Sequence, residues 1–132
     1  MKNILFVFFS FIFVSCSSKI PSVKERTNSA LSLASKNSLD ELIINNTSFN
    51  IFSLQSQNIN CENRTLNIYI EGDGLAWISK NQISLNPTPI SQTILKLLSL
   101  DNNKCKVYLA RPCQYVECSN CKQEYWTNKR FS

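Results

Sequence analysis

The chain of 132 residues contains no histidine and only two glycines. Without an imidazole, the usual general base of a Ser–His–acid triad is missing, so the chain by itself is not a Ser–His hydrolase. The two glycines, Gly72 and Gly74, lie in one tripeptide. An α/β fold normally uses glycine at several turns and helix C-caps. So few predicts a short fold in which asparagine, as in Asn45-Asn46 and Asn102-Asn103, takes the turn positions. Strong charge is also lacking. The formal net charge is +5, and no run of five or more basic residues exists. Nucleic acid is therefore not expected as a partner. No internal repeat or low-complexity tract occurs.

Hydrophobic residues and cysteines are present in quantity. Lys2 is followed by an apolar stretch, Ile4 to Val14, broken only by Ser10 and holding five phenylalanines. Small Ser15 precedes Cys16. A charged start, a short apolar run and a small residue at the cut make a secretory signal. The run is shorter than the about 20 residues that cross a bilayer. Phe13-Val14-Ser15-Cys16 resembles the lipobox of bacterial lipoproteins, with Phe13 where leucine is usual. The resemblance implies cleavage after residue 15, lipidation of Cys16, and a membrane anchor of two or three acyl chains. It also implies the bacterial cell envelope. Ser17 rather than Asp after the cysteine favours the outer membrane, facing the periplasm. Cleavage removes one cation, Lys2, and lowers the formal charge from +5 to +4.

The remaining chain divides into a tether, residues 16–22, and one domain or part of one, residues 23–132. Val23 to Lys36 has helical character and Asn37-Ser38 stops it. Residues 48–55 read as β-like and 57–64 as a polar loop. Leu66 to Ile70 alternates as a strand, with Leu66, Ile68 and Ile70 on one face. A polar loop, 79–88, leads to Thr88 as a helix N-cap and Pro89 as the first helical residue. Ile90, Ile94, Leu97 and Leu98 then define one helix face. Cys105 to Ala110 is a second strand, ended by Arg111-Pro112. Residues 113–124 form a cysteine-rich loop, and Tyr125-Trp126 open a further helix. Strand, helix, strand over 66–110 is a βαβ unit with parallel strands. The carboxyl ends of such strands, here 71–76 and 111–114, are where sites form.

Of the five cysteines after Cys16, an oxidising compartment would pair four and leave one over; buried, inert thiols are the other reading. Cys113, Cys118 and Cys121 have irregular spacing and no histidine beside them. No metal is expected there.

Four blocks carry a family resemblance: Tyr69 to Trp77, containing Glu71-Gly72-Asp73-Gly74; Asn86-Pro87-Thr88-Pro89; Tyr108 to Tyr115, containing Arg111-Pro112-Cys113-Gln114; and Tyr125-Trp126-Thr127 with Arg130-Phe131. Together they resemble the N-terminal part of a family of bacterial α/β-hydrolase-like proteins, many of them exported, over residues 23–132. The resemblance implies an α/β fold, a partial three-layer sandwich holding only the first strands and helices. It implies ester or similar acyl-bond hydrolysis as the parent activity, with no cofactor. In that fold the loop after the third strand donates backbone N–H groups to the oxyanion hole. Gly72, Asp73 and Gly74 match that place. A Cys113–Cys121 disulfide matches the family's pattern. Cys61 and Cys105 precede strands that neighbour each other in the fold and could bridge there, leaving Cys118 odd.

The family's nucleophile elbow Gly-x-Ser-x-Gly, its acid and its histidine have no counterpart in the 132 residues. The strand before Gly72 lies beside the nucleophile strand in that fold. Its edge would stand unpaired here, which invites pairing or aggregation. The expectation is an inactive lipoprotein, either a remnant of an interrupted reading frame or one half of a split enzyme whose other half is encoded downstream. The alternative is a small non-enzymatic envelope lipoprotein acting as a binding or structural module.

Overall fold

The computed structural model describes residues 19–45 and 47–130. The signal segment, the first three tether residues including Cys16, and Phe131 lie outside the described residues. Helix α1, Val23–Lys36, opens with a reciprocal cap. Glu25 N–H donates to Ser22 Oγ at 3.2 Å and Ser22 N–H donates to Glu25 Oε2 at 2.7 Å. The Ser22 bonds hold the Glu25 carboxyl below its usual range. Arg26, Ala30 and Ala34 recur every four residues and form the buried face.

A four-stranded mixed sheet follows, in the order β1-β2-β6-β3. Strand β1, Leu39–Asn45, pairs antiparallel along its whole length with β2, Asn50–Ser56. β1 is a strand that the pattern reading passed over. Asp40 and Glu41 interrupt its apolar alternation, and such charges suit an edge strand, which must not attract foreign strands. Strand β3, Asn67–Ile70, is followed by a small hairpin of β4, Trp77–Ser79, and β5, Gln82–Ile83, which straddles the start of the loop expected over 79–88. Helix α2, Thr93–Leu100, then leads to β6, Lys106–Leu109, which lies parallel to β3 and antiparallel to β2. The chain is thus mixed α/β, and its β3–α2–β6 segment is a βαβ unit.

Helix α2 begins four residues later than expected. Thr88 is fully buried and does not cap it. Its hydroxyl instead accepts from Tyr115 N–H at 2.7 Å. The buried face of α2 is Leu95 and Leu98, with Ile94 beside it; Ile90 and Leu97 are exposed. At its carboxyl end Asp101 accepts from Asn67 Nδ2 (2.7 Å), Asn103 N–H (2.8 Å) and the Tyr69 hydroxyl (3.0 Å). These bonds, Asn67 first, hold the Asp101 carboxyl below its usual range and tie α2 to β3.

Both helices contact the same sheet face, which carries Phe52, Leu54 and Tyr108 in the main core. The strand register puts Leu42, Ile44, Ser53, Val107, Leu109, Ile68 and Ile70 on the other face. Leu42, Ile44, Ile68 and Ile70 are exposed there. Among the described residues the fold has two layers, where three were expected. No helix of these residues is long and apolar enough to cross a membrane.

Leu95→Ala, at a fully buried position, should cost about 2–5 kcal/mol, whereas Leu97→Ala, half-exposed on the same helix, should change stability by less than about 0.5 kcal/mol. Urea unfolding of the two variants checks this. Equal losses would mean that α2 is rotated from the described packing.

Candidate functional site

The loop after β3 runs Glu71-Gly72-Asp73-Gly74-Leu75 at the carboxyl end of the parallel pair. Gly74 adopts a left-handed backbone, φ +60°, and a Cβ there would meet the Pro87 carbonyl oxygen at 2.0 Å. Only glycine fits that close approach. Leu75 N–H donates to the same Pro87 oxygen at 3.0 Å. Gly72 differs: a Cβ on it would meet nothing within 4 Å. Of the two glycines, one is required by the fold and the other merely faces open space.

The loop is held by one side chain. Gln114 is buried, donates from Nε2 to the Gly72 carbonyl (2.9 Å) and the Pro87 carbonyl (3.4 Å), and accepts at Oε1 from Arg111 N–H (2.9 Å). Its neighbours Cys113 and Tyr115 both have left-handed backbones, φ +69° and +64°. Such non-glycine conformations are sparsely populated and persist only where the surroundings fix them. Here the Cys113–Cys121 disulfide fixes one side. Tyr115, stacked on Phe52 with ring centroids 4.6 Å apart, fixes the other.

Asp73 is engaged by both Arg111 Nη1 and Arg130 Nη1, the latter at 2.8 Å. Arg111 Nη2 also donates to the Arg130 carbonyl at 2.9 Å. Trp126 Nε1 donates to the Ser84 carbonyl at 3.2 Å. Four blocks that are far apart in sequence therefore meet at one end of the sheet. Asp73 is consumed in ion pairs and is not oriented as a catalytic acid.

Beneath the loop lies a polar group that pattern reading did not single out. Glu71 is buried; Oε2 accepts from the Tyr108 hydroxyl at 2.7 Å and Oε1 accepts from Gly72 N–H at 2.9 Å. The Tyr115 hydroxyl is 3.3 Å from that of Tyr108. Burial pushes the Tyr108 hydroxyl far above its usual range and raises Tyr115 to about 12. Arg26, also buried, donates to the Thr88 carbonyl, and desolvation lowers its pKa. In the sequence this group shows only as the two tyrosines, Tyr108 and Tyr115, at the ends of one quoted block.

The loop borders a cleft of about 330 Å³, lined by Glu71, Gly72, Gly74, Leu75, Pro89–Ser91 and the first residues of α2. Gly72 N–H is taken by Glu71, whereas the N–H groups of Asp73 and Gly74 have no acceptor among the described residues. The site therefore offers backbone donors beside a small open cleft whose lining also holds the Glu71 carboxylate and the Ser91 and Thr93 hydroxyls, with no histidine to activate them. The remaining cysteines expected to cross-link, Cys61 and Cys105, form a disulfide at the amino end of the parallel pair, Cα atoms 5.3 Å apart. Cys118 is free. Compared with known proteins, the chain matches no family model, no curated protein and no solved structure.

Gly74→Ala should destabilise by at least about 2 kcal/mol through left-handed strain and the Pro87 collision, while Gly72→Ala should stay within about 1 kcal/mol. Comparable urea midpoints for the two variants would contradict the loop geometry. A second expectation concerns base. Tyr108 and Tyr115 hold their protons above the unfolded value of about 10, so their contribution to stability is full below that pH. It is lost as pH rises toward about 12. Tyrosinate absorbance should therefore rise in two stages, with the late stage coinciding with loss of near-ultraviolet circular dichroism. A single early stage involving all four tyrosines would contradict the burial.

Proposed function

We infer that this chain is the anchor-bearing N-terminal part of an exported α/β-hydrolase-like lipoprotein, with Gly72–Gly74 as its oxyanion loop. The anchor is the lipidated Cys16, which would hold the protein to the envelope membrane, at the outer membrane facing the periplasm. The parent activity is hydrolysis of an ester or similar acyl bond. These 132 residues are inactive alone, because the nucleophile, acid and histidine come from polypeptide outside them, whether continuous with the chain or separate.

One observation carries the reading: the strand that leads into the Gly-Asp-Gly loop is the uncovered edge of the sheet. β3 is the third strand of the chain and ends the sheet order among the described residues. Asn67 and Glu71 N–H donate to Cys105 and Leu109 carbonyls, so the intervening amides of Ile68 and Ile70 point outward. Leu66, Ile68 and Ile70 are 43%, 52% and 64% exposed. The edge is only four residues long, but it is apolar and bears no charge or proline, so those protections against pairing are missing. It is the place where the hydrolase resemblance calls for the nucleophile strand, and the bare sheet face is where a third layer would lie. The free N–H groups of Asp73 and Gly74 are in keeping with an oxyanion loop.

A second reading, a non-enzymatic binding module, is favoured by one detail. Gly72 N–H already donates to a carboxylate, so one potential oxyanion donor is spoken for.

The coding sequence following residue 132 decides between them. A Gly-x-Ser-x-Gly segment, then an acid and a histidine, is expected in the same or an adjacent frame. Co-expression with that segment should yield p-nitrophenyl butyrate hydrolysis that vanishes when its serine becomes alanine. If no such segment follows, the split-hydrolase reading fails. Independently, the isolated chain should bind anilinonaphthalene sulfonate and self-associate, and Ile68→Lys with Ile70→Lys should reduce both without loss of stability beyond about 0.5 kcal/mol.

A further inference from the structure

The third sulfur beside the Cys113–Cys121 disulfide has no part in the proposed hydrolytic function. Cys118 is the free cysteine of the described residues, and its Sγ lies 2.8 Å from Cys121 Sγ. The sulfur atoms of Cys113, Cys118 and Cys121 all lie within 4.8 Å of one another. Two of the three are already bonded, so they are not thiolates available to a metal. What the arrangement offers instead is a thiol in direct contact with one sulfur of a disulfide.

We propose that Cys113, Cys118 and Cys121 form a thiol–disulfide exchange centre with two interconverting linkages. The Cys118 thiolate attacks Cys121 Sγ. The Cys118–Cys121 bond forms as the Cys113–Cys121 bond breaks, and Cys113 leaves as a thiolate that takes up a proton from solvent. One disulfide and one thiol exist before and after, so no oxidant or reductant is consumed. Three features suit the centre to exchange. Cys118 and Cys121 are spaced Cys-x-x-Cys, and Cys121 N–H donates to the Cys118 carbonyl at 3.1 Å, so a tight turn brings the pair together. A cleft of about 220 Å³, lined by Leu85, Asn86, Val116, Glu117 and the three cysteines, opens onto the sulfurs and admits solvent or a small thiol. Finally, Cys113 sits at φ +69°, a costly backbone state that release of its sulfur would let relax.

The exchange moves the cross-link off the residue next to Gln114. It therefore alters how the cysteine-rich loop is tied to the glycine loop without touching Cys61–Cys105, whose sulfurs lie at the opposite end of the parallel strands.

The full chain, purified with its disulfides intact, is held at mildly alkaline pH to populate thiolate, then digested with pepsin in acid, where exchange stops. Mass spectrometry of the cross-linked peptides should find both Cys113–Cys121 and Cys118–Cys121 linkages, the minor one at about 1% or more. Cys118→Ser should abolish the second linkage. Cys113→Ser should form Cys118–Cys121 quantitatively, with the Cys61–Cys105 peptide unchanged as the control for folding. If the wild-type chain yields Cys113–Cys121 alone after equilibration, the proposal is overturned, whatever the variants do.

Discussion

The side-chain amide of Gln114 is the constraint on which the candidate site depends. It is buried, and its three hydrogen bonds reach three segments: the loop after β3, the Pro87 turn and the strand end at Arg111. A buried amide that loses a partner costs about 1–3 kcal/mol for each orphaned group, so the three segments are coupled through one residue. Gly74 lies against the Pro87 carbonyl where this amide joins the Gly72 and Pro87 carbonyls and Leu75 N–H donates to Pro87, and the close approach in turn forbids any side chain at that position. The positive-φ residues on either side of Gln114 are the local cost of aiming it inward. The disulfide and the Phe52–Tyr115 stack offset that cost.

The second constraint is the one-sided covering of the sheet. Helices α1 and α2 bury Phe52, Leu54 and Tyr108, whereas on the opposite face Leu42, Ile44, Ile68 and Ile70 are exposed around the buried Ser53. A sheet with apolar residues on both faces belongs to folds with helices on both sides. The two disulfides suit this half-covered state. Cys61–Cys105 pins the amino end of the parallel pair and closes a loop of 44 residues. Cys113–Cys121 pins the carboxyl end. A small domain that cannot bury enough surface commonly relies on such cross-links.

Several residues change meaning once their partners are known. Thr88 followed by Pro89 carries the local signature of a helix start, but its hydroxyl bonds to Tyr115 N–H, and the helix waits until Thr93. In the sequence Glu71 stands only as the first residue of the glycine motif. In the structure it is a buried acceptor for a tyrosine hydroxyl and a backbone amide. Asp73, central in the glycine motif, spends its charge on Arg111 and Arg130. In each case a long-range bond outweighs the local preference, because a buried polar group must find a partner.

The sequence by itself determined the local elements. The helical character of Val23 to Lys36, with its stop at Asn37-Ser38, specifies α1. Alternation specifies β3, and Arg111-Pro112 ends β6. These depend on neighbours within a few residues, so they were legible in order along the chain. Strand β1 was not, because Asp40 and Glu41 mask an alternation that matters only once β2 pairs with it. The candidate site was half legible: its glycine loop and the Cys113–Cys121 and Cys61–Cys105 pairings followed from the family resemblance, and both disulfides form. The tertiary structure alone decided that Gln114 holds that loop and that the apolar side of β3 faces outward. These are contacts between segments tens of residues apart, set by how the sheet is ordered and which face the helices cover, and no local pattern encodes them.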